Sequence, residues 1–109
     1  MDADVKIFLK FAKKNIDRKR YNAIKKLKDE EEMIQALQYV IAGKLEREMQ
    51  TLEKQVKNKE KLMKDVFVAK TKLIMLQSKL KNFKASFSDE DYNKVKNLFS
   101  DIKKEIQNV

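Results

Sequence analysis

Apolar residues recur three, four or seven positions apart along most of the chain, which is the spacing of one face of an α-helix. The longest run is a seam at seven-residue spacing that starts at Leu45. The seam comprises Leu45, Leu52, Val66, Leu73, Leu80 and Phe87, with Lys59 at its one missing position and Met49, Val56 and Met63 in its alternate half. Lys70, Gln77 and Lys84 interrupt its second half, and a two-stranded coiled coil does not readily accept three such residues. The pattern therefore favours a helical bundle.

Further apolar positions widen this stripe over residues 60–84, to the width typical of a helix that packs against more than one neighbour. They are Val68, Ile74, Met75, Leu76 and Phe83. Upstream, residues 5–16 and 24–45 also place apolar side chains three or four apart, and no segment alternates as a strand does. We therefore expect an all-α fold.

Three interruptions of the pattern predict where helices end. Ser88 is followed three residues later by Asp91, an arrangement typical of a capped helix start, so a last helix is expected from about Asp89 to Ile106. Asn15 to Asp17 is a plausible turn, because Asn and Asp bond locally to the backbone. Gly43 either ends a helix or lies within a continuous one at a cost near 1 kcal/mol, and the polar residues 56–61 are a further candidate hinge.

These elements predict one helical domain over residues 1–109. We expect an elongated antiparallel bundle of three to four helices, with one or two long helices within about residues 20–85 and a short C-terminal helix at 89–107. A basic segment, residues 5–28, precedes the long helices.

Composition narrows the chemistry that the chain offers. It has one Gly and no Pro, Cys or His, so it lacks the turn residues of a sheet protein, disulfides, ordinary zinc or haem ligands and an imidazole base. The acid clusters at 29–32 and 89–91 fan around a helix axis and do not face one pocket. We therefore expect no enzyme, no cofactor, no metal and no catalytic residue.

The N-terminus lacks the pattern of a secretory signal, and no run approaches a membrane span. We expect a cytoplasmic protein that is soluble or peripheral at membranes.

Charge lies in blocks that alternate in sign. Residues 5–28 carry +9 (10 basic, 1 acidic), 29–56 carry −4 (3 and 7), 57–84 carry +7 (9 and 2) and 85–109 carry −1 (4 and 5). Such blocks favour staggered self-association, in which positive segments lie against negative ones, and electrostatics of this kind set register more than affinity. Solvated helix faces rich in Lys and Glu are the simpler explanation of the same pattern.

The first basic block is the candidate surface for an anionic partner. Its apolar residues Ile16, Ala23, Ile24 and Leu27 form a stripe with cations on both flanks, which suits an anionic membrane or an acidic helix. The candidate binding residues are Lys13, Lys14, Arg18, Lys19, Arg20, Lys25, Lys26 and Lys28. Nucleic acid is the less favoured partner, because Arg, the better reader of bases, occurs three times in the chain.

The order of features resembles the core of the ESCRT-III family. The relevant stretches are "AKKNIDRKRYNAIKKLK", "LEREMQTLEKQV", "VFVAKTKLIMLQSKL" and "DYNKVKNLFSDIKKEI". In the last stretch the family's pattern falls on Tyr92, Lys94, Val95, Leu98, Phe99, Asp101 and Ile102. The resemblance covers residues 11–107 and implies a membrane-remodelling subunit that pairs through its helices.

The chain departs from that family in its short first helix and in the missing acidic tail that recruits the recycling ATPase. The resemblance therefore implies a short or truncated member or a core fragment. Candidate residues for assembly or packing are Leu73, Leu76, Leu80, Val95, Leu98, Phe99 and Ile102. The main alternative is a three-helix adaptor that docks a protein partner, with the last helix folded back over residues 66–83. A basic nucleic-acid or ribosome-associated protein is the third.

Overall fold

The computed structural model describes residues 2–109, and within them the chain is all-helical, with no strand. Five helices follow one another along the chain. They are α1 (Ala3–Asn15), α2 (Arg18–Lys25), α3 (Glu30–Lys61), α4 (Phe67–Ser86) and α5 (Asp89–Gln107). The all-α prediction is confirmed, whereas the structure has five helices where three to four were expected.

The expected long helical stretch at 20–85 is divided twice, at residues 26–29 and at 62–66. Gly43 lies inside α3, so of its two alternatives the continuous helix is the one observed. Residues 56–61 are helical as well, and the chain turns directly after them. The hinge expected within 56–61 was therefore wrong by a few residues.

The chain forms two compact units, Met1–Lys44 and Leu45–Val109, which we call unit 1 and unit 2. The boundary falls within α3, between Lys44 and Leu45.

Unit 1 contains α1, α2 and the first part of α3. The expected turn at residues 15–17 is present: Ile16 is extended, and the Asp17 carboxylate caps α2 by accepting a hydrogen bond from Arg20 N at 3.1 Å. Asn15 Nδ2 donates to Phe11 O at 2.8 Å and so closes the end of α1. The buried apolar side chains of this unit are Leu9, Phe11, Ala12, Ile16, Tyr21, Met33, Leu37 and Ile41.

Unit 2 contains the rest of α3 together with α4 and α5. Helices α3 and α4 run antiparallel, because Lys70 pairs with Glu60 close to the turn between them and Lys84 pairs with Glu46 at the far end. All four side chains are partly exposed, so these ion pairs fix register more than they stabilise the unit.

Helices α4 and α5 are also antiparallel. Lys72 Nζ lies 3.2 Å from Glu105 Oε1 near the start of α4, and the Phe83 and Tyr92 rings lie 5.6 Å apart near its end. The tight connection follows from Phe87, which takes a left-handed conformation, and from Ser88, whose Oγ accepts from Asp91 N at 3.2 Å. The predicted cap and start of the last helix are thus confirmed.

Helix α5 therefore runs parallel to α3. Glu48 of α3 pairs with Lys96 at 3.3 Å and with Lys103 at 3.1 Å, and Lys59 Nζ donates to Val109 O at 3.1 Å. The three contacts follow the shared direction of the two helices. Unit 2 therefore consists of three helices, with ion pairs that join α3 to both α4 and α5 and with α4 packed against α5.

The core of unit 2 is made of aliphatic and phenyl side chains from all three helices. Its members are Leu45, Leu52 and Val56 of α3, Ala69, Leu73, Leu76, Leu80 and Phe83 of α4, and Val95, Leu98, Phe99, Ile102 and Ile106 of α5. Val66 in the turn is buried too. Each large apolar side chain contributes about 1.5–3 kcal/mol when fully buried, which offsets the conformational entropy lost on folding.

The turn between α3 and α4 ends the longest helix of the chain. Lys64 N donates to Lys59 O at 3.1 Å and Met63 N to Glu60 O at 3.0 Å, the two hydrogen bonds of a Schellman motif. Met63 has φ 64°, at the position where glycine is usual. The Met63 side chain is 92% exposed, so the seven-residue seam that includes it does not continue through the turn as one buried stripe.

Burial on opposite faces of α4 gives a matched test of this core. Leu76 is fully buried, and Ile74, two residues away, is exposed. We predict that Leu76→Ala lowers the free energy of unfolding by about 2–5 kcal/mol, because it leaves a cavity. Ile74→Ala changes it by less than about 0.5 kcal/mol. Urea unfolding followed by circular dichroism measures both, and equal losses would contradict the assignment of the two faces.

A second prediction concerns alkaline stability. Burial between α4 and α5 raises the pKa of Tyr92 above its ordinary 10.0, and the nearby Glu48 carboxylate raises it further. The folded state therefore holds this proton more tightly than the unfolded state. The stabilisation is present below pH 10 and is lost as the pH rises through the pKa of the folded state. We expect Tyr92→Phe to lose less stability than wild type between neutral pH and pH 11, whereas a matching loss would contradict this.

The control for that experiment is Tyr39→Phe, because the Tyr39 ring is exposed on α3. This variant should follow the wild-type profile. Thermal midpoints at each pH measure all three proteins, and the difference between each variant and wild type isolates the contribution of the substituted ring.

Candidate functional site

The candidate basic residues of unit 1 lie at the end of α1, in α2 and just beyond it. All eight are exposed, namely Lys13, Lys14, Arg18, Lys19, Arg20, Lys25, Lys26 and Lys28. Arg20 Nε lies 3.6 Å from Asp17 Oδ1, and Asp17 is the single acid among residues 5–28. Residues 5–28 therefore carry a net charge of +9, and the eight candidate cations are exposed.

The break between α1 and α2 brings part of this charge to one pocket of about 420 Å³. Lys13 comes from the last turn of α1 and Arg18 from the first turn of α2, with Tyr21 and Asn22 one turn further on. Ile16 completes the lining. An ammonium, a guanidinium, a phenol and an amide supply hydrogen-bond donors for phosphate oxygens.

The other candidate cations lie outside this pocket. Lys14, Lys19 and Arg20 flank it in sequence, while Lys25 is in the last turn of α2. Lys26 and Lys28 lie in the connection between α2 and α3. Asp29 caps the start of α3, because its carboxylate accepts hydrogen bonds from Glu31 N and Glu32 N. The acidic cluster at 29–32 is therefore the capped start of a helix.

The candidate assembly or packing residues all lie in the core of unit 2. Leu73, Leu76 and Leu80 belong to α4, and Val95, Leu98, Phe99 and Ile102 to α5. In this closed form their side chains are not accessible to a second molecule. An assembly role would require α5 to leave the bundle.

An open groove of about 620 Å³ runs along α3 and α5 of unit 2. Leu52, Leu62 and Ile106 supply its apolar lining, and the rim is uncharged except for the paired Glu48, Lys59 and Lys103. Its polar lining comes from Thr51, Gln55, Asn58 and Gln107. Sequence reasoning missed this groove, because it depends on the parallel pairing of two helices distant in sequence.

Sequence reasoning also missed an exposed apolar surface on unit 2. Leu62 is 67% exposed and Phe67 is 74% exposed, and Ile74, two turns further along the same face of α4 as Phe67, is 69% exposed. Val68 and Met75, expected to widen the packed stripe, are exposed as well, whereas Leu76 and Phe83 are buried. The signal that could have found this surface is that α4 is apolar on more than one face.

Residues 2–109 contain no group of His, Cys, Asp or Glu side chains that could hold a metal ion. No helix among the described residues is long and apolar enough to cross a membrane. No protein-family model, curated protein or solved structure matches the chain. Function is therefore inferred from the chemistry of these surfaces.

Proposed function

We propose that this chain is a non-enzymatic interaction and assembly protein that binds anionic membrane surfaces through the basic segment of unit 1. The observation that carries the proposal is the pocket that places Lys13 and Arg18 beside Tyr21 and Asn22. It lies within a segment of exposed cations with a single acid. A phosphate head group fits both the donors and the charge, and each basic residue near an anionic bilayer contributes about 1 kcal/mol.

The charge blocks extend the proposal to self-association. The acidic start of α3 in one copy and the basic residues 57–84 of another are complementary in sign. Contacts of this kind resemble the ESCRT-III-like assembly that the sequence pattern suggests. They use exposed side chains and leave the unit 2 core closed.

A second candidate function is the adaptor that docks a protein partner as a monomer. The burial of Val95, Leu98, Phe99 and Ile102 favours it, because the last helix is folded back as a closed adaptor requires. The two candidates differ in oligomeric state, because the first self-associates and the adaptor is a monomer.

The membrane proposal predicts that removing charge from the basic segment abolishes binding to acidic vesicles. The variant replaces Lys13, Lys14, Arg18, Lys19 and Arg20 with Gln. All five side chains are exposed, so helical content should not change. Sedimentation with vesicles of phosphatidylcholine and phosphatidylserine measures binding, and raised salt should weaken the wild type.

The matched control removes the same net charge from elsewhere on the surface. It replaces Lys44, Arg47, Lys54, Lys94 and Lys104 with Gln, all of them exposed. This control should keep most of its vesicle binding. Equal losses in the two variants would show that net charge alone matters, and undiminished binding by the first variant would exclude the segment.

The assembly proposal predicts oligomers that grow with protein concentration and weaken as salt rises, since charge pairing is screened beyond about 10 Å at 0.1 M salt. Replacing Glu30, Glu31 and Glu32 with Gln should weaken them. The control replaces the exposed acids Asp4, Glu90 and Asp101 with their amides and should not. Sedimentation velocity measures the distribution, and a strictly monomeric protein at all concentrations would favour the adaptor. Phe99→Asp is unsuitable here, because Phe99 is a core residue.

A further inference from the structure

The turn between α3 and α4 and the first turn of α4 carry the two most exposed large apolar side chains of unit 2, Met63 and Phe67. Leu62, Met63 and Phe67 lie within six residues of one another, and each is at least two-thirds exposed. We call these three residues the apolar tip. Soluble domains rarely leave contiguous large apolar side chains uncovered unless they contact something.

Local hydrogen bonds define the backbone of the turn that carries the tip. Val66 is buried beneath it, the Asp65 carboxylate accepts from Phe67 N at 3.1 Å, and the Schellman motif fixes Met63 with φ 64°. A left-handed conformation is unfavourable for a residue with a side chain, so glycine would suit this turn better. The methionine side chain therefore adds apolar surface at the tip and nothing to the fold.

Three lysines lie close to the tip in sequence, and Asp65, Glu105 and the C-terminal Val109 line a pocket beside it. Lys57, Lys61 and Lys64 are exposed and make no ion pair within residues 2–109. The two nearest acids in sequence are engaged, Glu60 with Lys70 and Asp65 with the backbone of Phe67. Exposed apolar side chains close in sequence to unpaired lysines complement a surface that is negatively charged outside and apolar inside.

Helix α4 has one exposed face and one buried face. Its outer face reads Phe67, Thr71, Ile74 and Ser78 at helical spacing, opposite the buried Ala69, Leu73, Leu76 and Leu80. Helix α4 contains five Lys and no Asp or Glu. Lys70, Lys72 and Lys84 are ion-paired with Glu60, Glu105 and Glu46, which leaves Lys79 and Lys81 without an ion pair among residues 2–109.

We propose that the apolar tip inserts into the head-group region of an anionic bilayer, with Lys57, Lys61 and Lys64 contacting lipid phosphates. This site is distinct from the basic segment of unit 1, and the inference rests on the proposed membrane function. Interfacial binding strength scales with buried apolar area plus attraction to anionic lipid. The lysines of unit 1 supply the attraction, and insertion of the tip would add the buried apolar area.

A local reporter tests insertion directly, because the chain has no native Cys or Trp. Met63→Cys is labelled with an environment-sensitive fluorophore, and full-length protein is mixed with vesicles of phosphatidylcholine and phosphatidylserine. We expect a blue shift and increased intensity. The matched control is Asn93→Cys, exposed near the start of α5 at the opposite end of unit 2, which should change little.

A second set of variants tests whether the tip contributes to affinity. Leu62→Ser, Met63→Gly and Phe67→Ser together should weaken vesicle binding by about tenfold or more, which corresponds to about 1.4 kcal/mol. Met63→Gly relieves the left-handed methionine, so the thermal midpoint should not fall and loss of binding cannot be ascribed to unfolding. The control Tyr39→Ser removes an exposed ring from unit 1 and should bind as wild type does.

The outcomes separate the two proposals. If wild type sediments with vesicles while the reporter at 63 stays unchanged, insertion is wrong and the membrane function of unit 1 stands. If wild type binds no vesicles, both fail. An equal response to pure phosphatidylcholine would contradict the role of the lysines. If the tip variant alters oligomer size but not vesicle binding, the tip contacts a second copy and not a bilayer.

Discussion

Unit 2 depends on burying one face of α4 between α3 and α5. More than a third of the chain is charged, 39% of its residues, so apolar surface is scarce and concentrated in a few stripes. Leu76 and Phe83 of α4 and Val95, Phe99 and Ile102 of α5 are all fully buried, and the two helices pack against each other. Removing α5 would expose most of this core to water, at a cost of roughly 25 cal/mol for each Å² of apolar surface.

This constraint also decides which surfaces remain for function. A three-helix bundle buries one side of α4, and the other side carries Phe67 and Ile74 with no helix of unit 2 to cover them. The ion pairs across the bundle are partly exposed, as with Glu48 and its two lysine partners, so they align the helices more than they stabilise them. The proposed membrane contacts therefore use the charged and apolar side chains that remain exposed once each unit has folded.

Local signals in the sequence predicted local structure well. The start of α5 was predictable because both partners of its capping hydrogen bond, Ser88 and Asp91, lie within four residues of sequence. The turn near Asp17 was predictable for the same reason, since Asp17 caps α2. Gly43 could not be decided, because a cost near 1 kcal/mol is smaller than the packing energy that holds it in α3.

Structural features that depend on contacts between residues distant in sequence were harder to predict. The turn after Lys61 contains no Gly or Pro, and its Met63 takes a conformation that sequence rules assign to glycine. Periodicity identified an apolar α4 but not which of its faces would be buried, because that choice depends on α5. For the candidate site, the exposed cations were predictable from charge alone, whereas the convergence of Lys13 and Arg18 on one pocket depends on the angle between α1 and α2.

Native-state hydrogen exchange on the free protein tests most directly whether α5 closes the core of unit 2. If it does, amides in the middle of α5, around Phe99, should exchange with the same opening free energy as those around Leu76 in α4, because the two helices expose each other when either leaves. Protection around Leu76 that persists while amides around Phe99 exchange freely would contradict a closed bundle. It would indicate that α4 is covered by something other than α5.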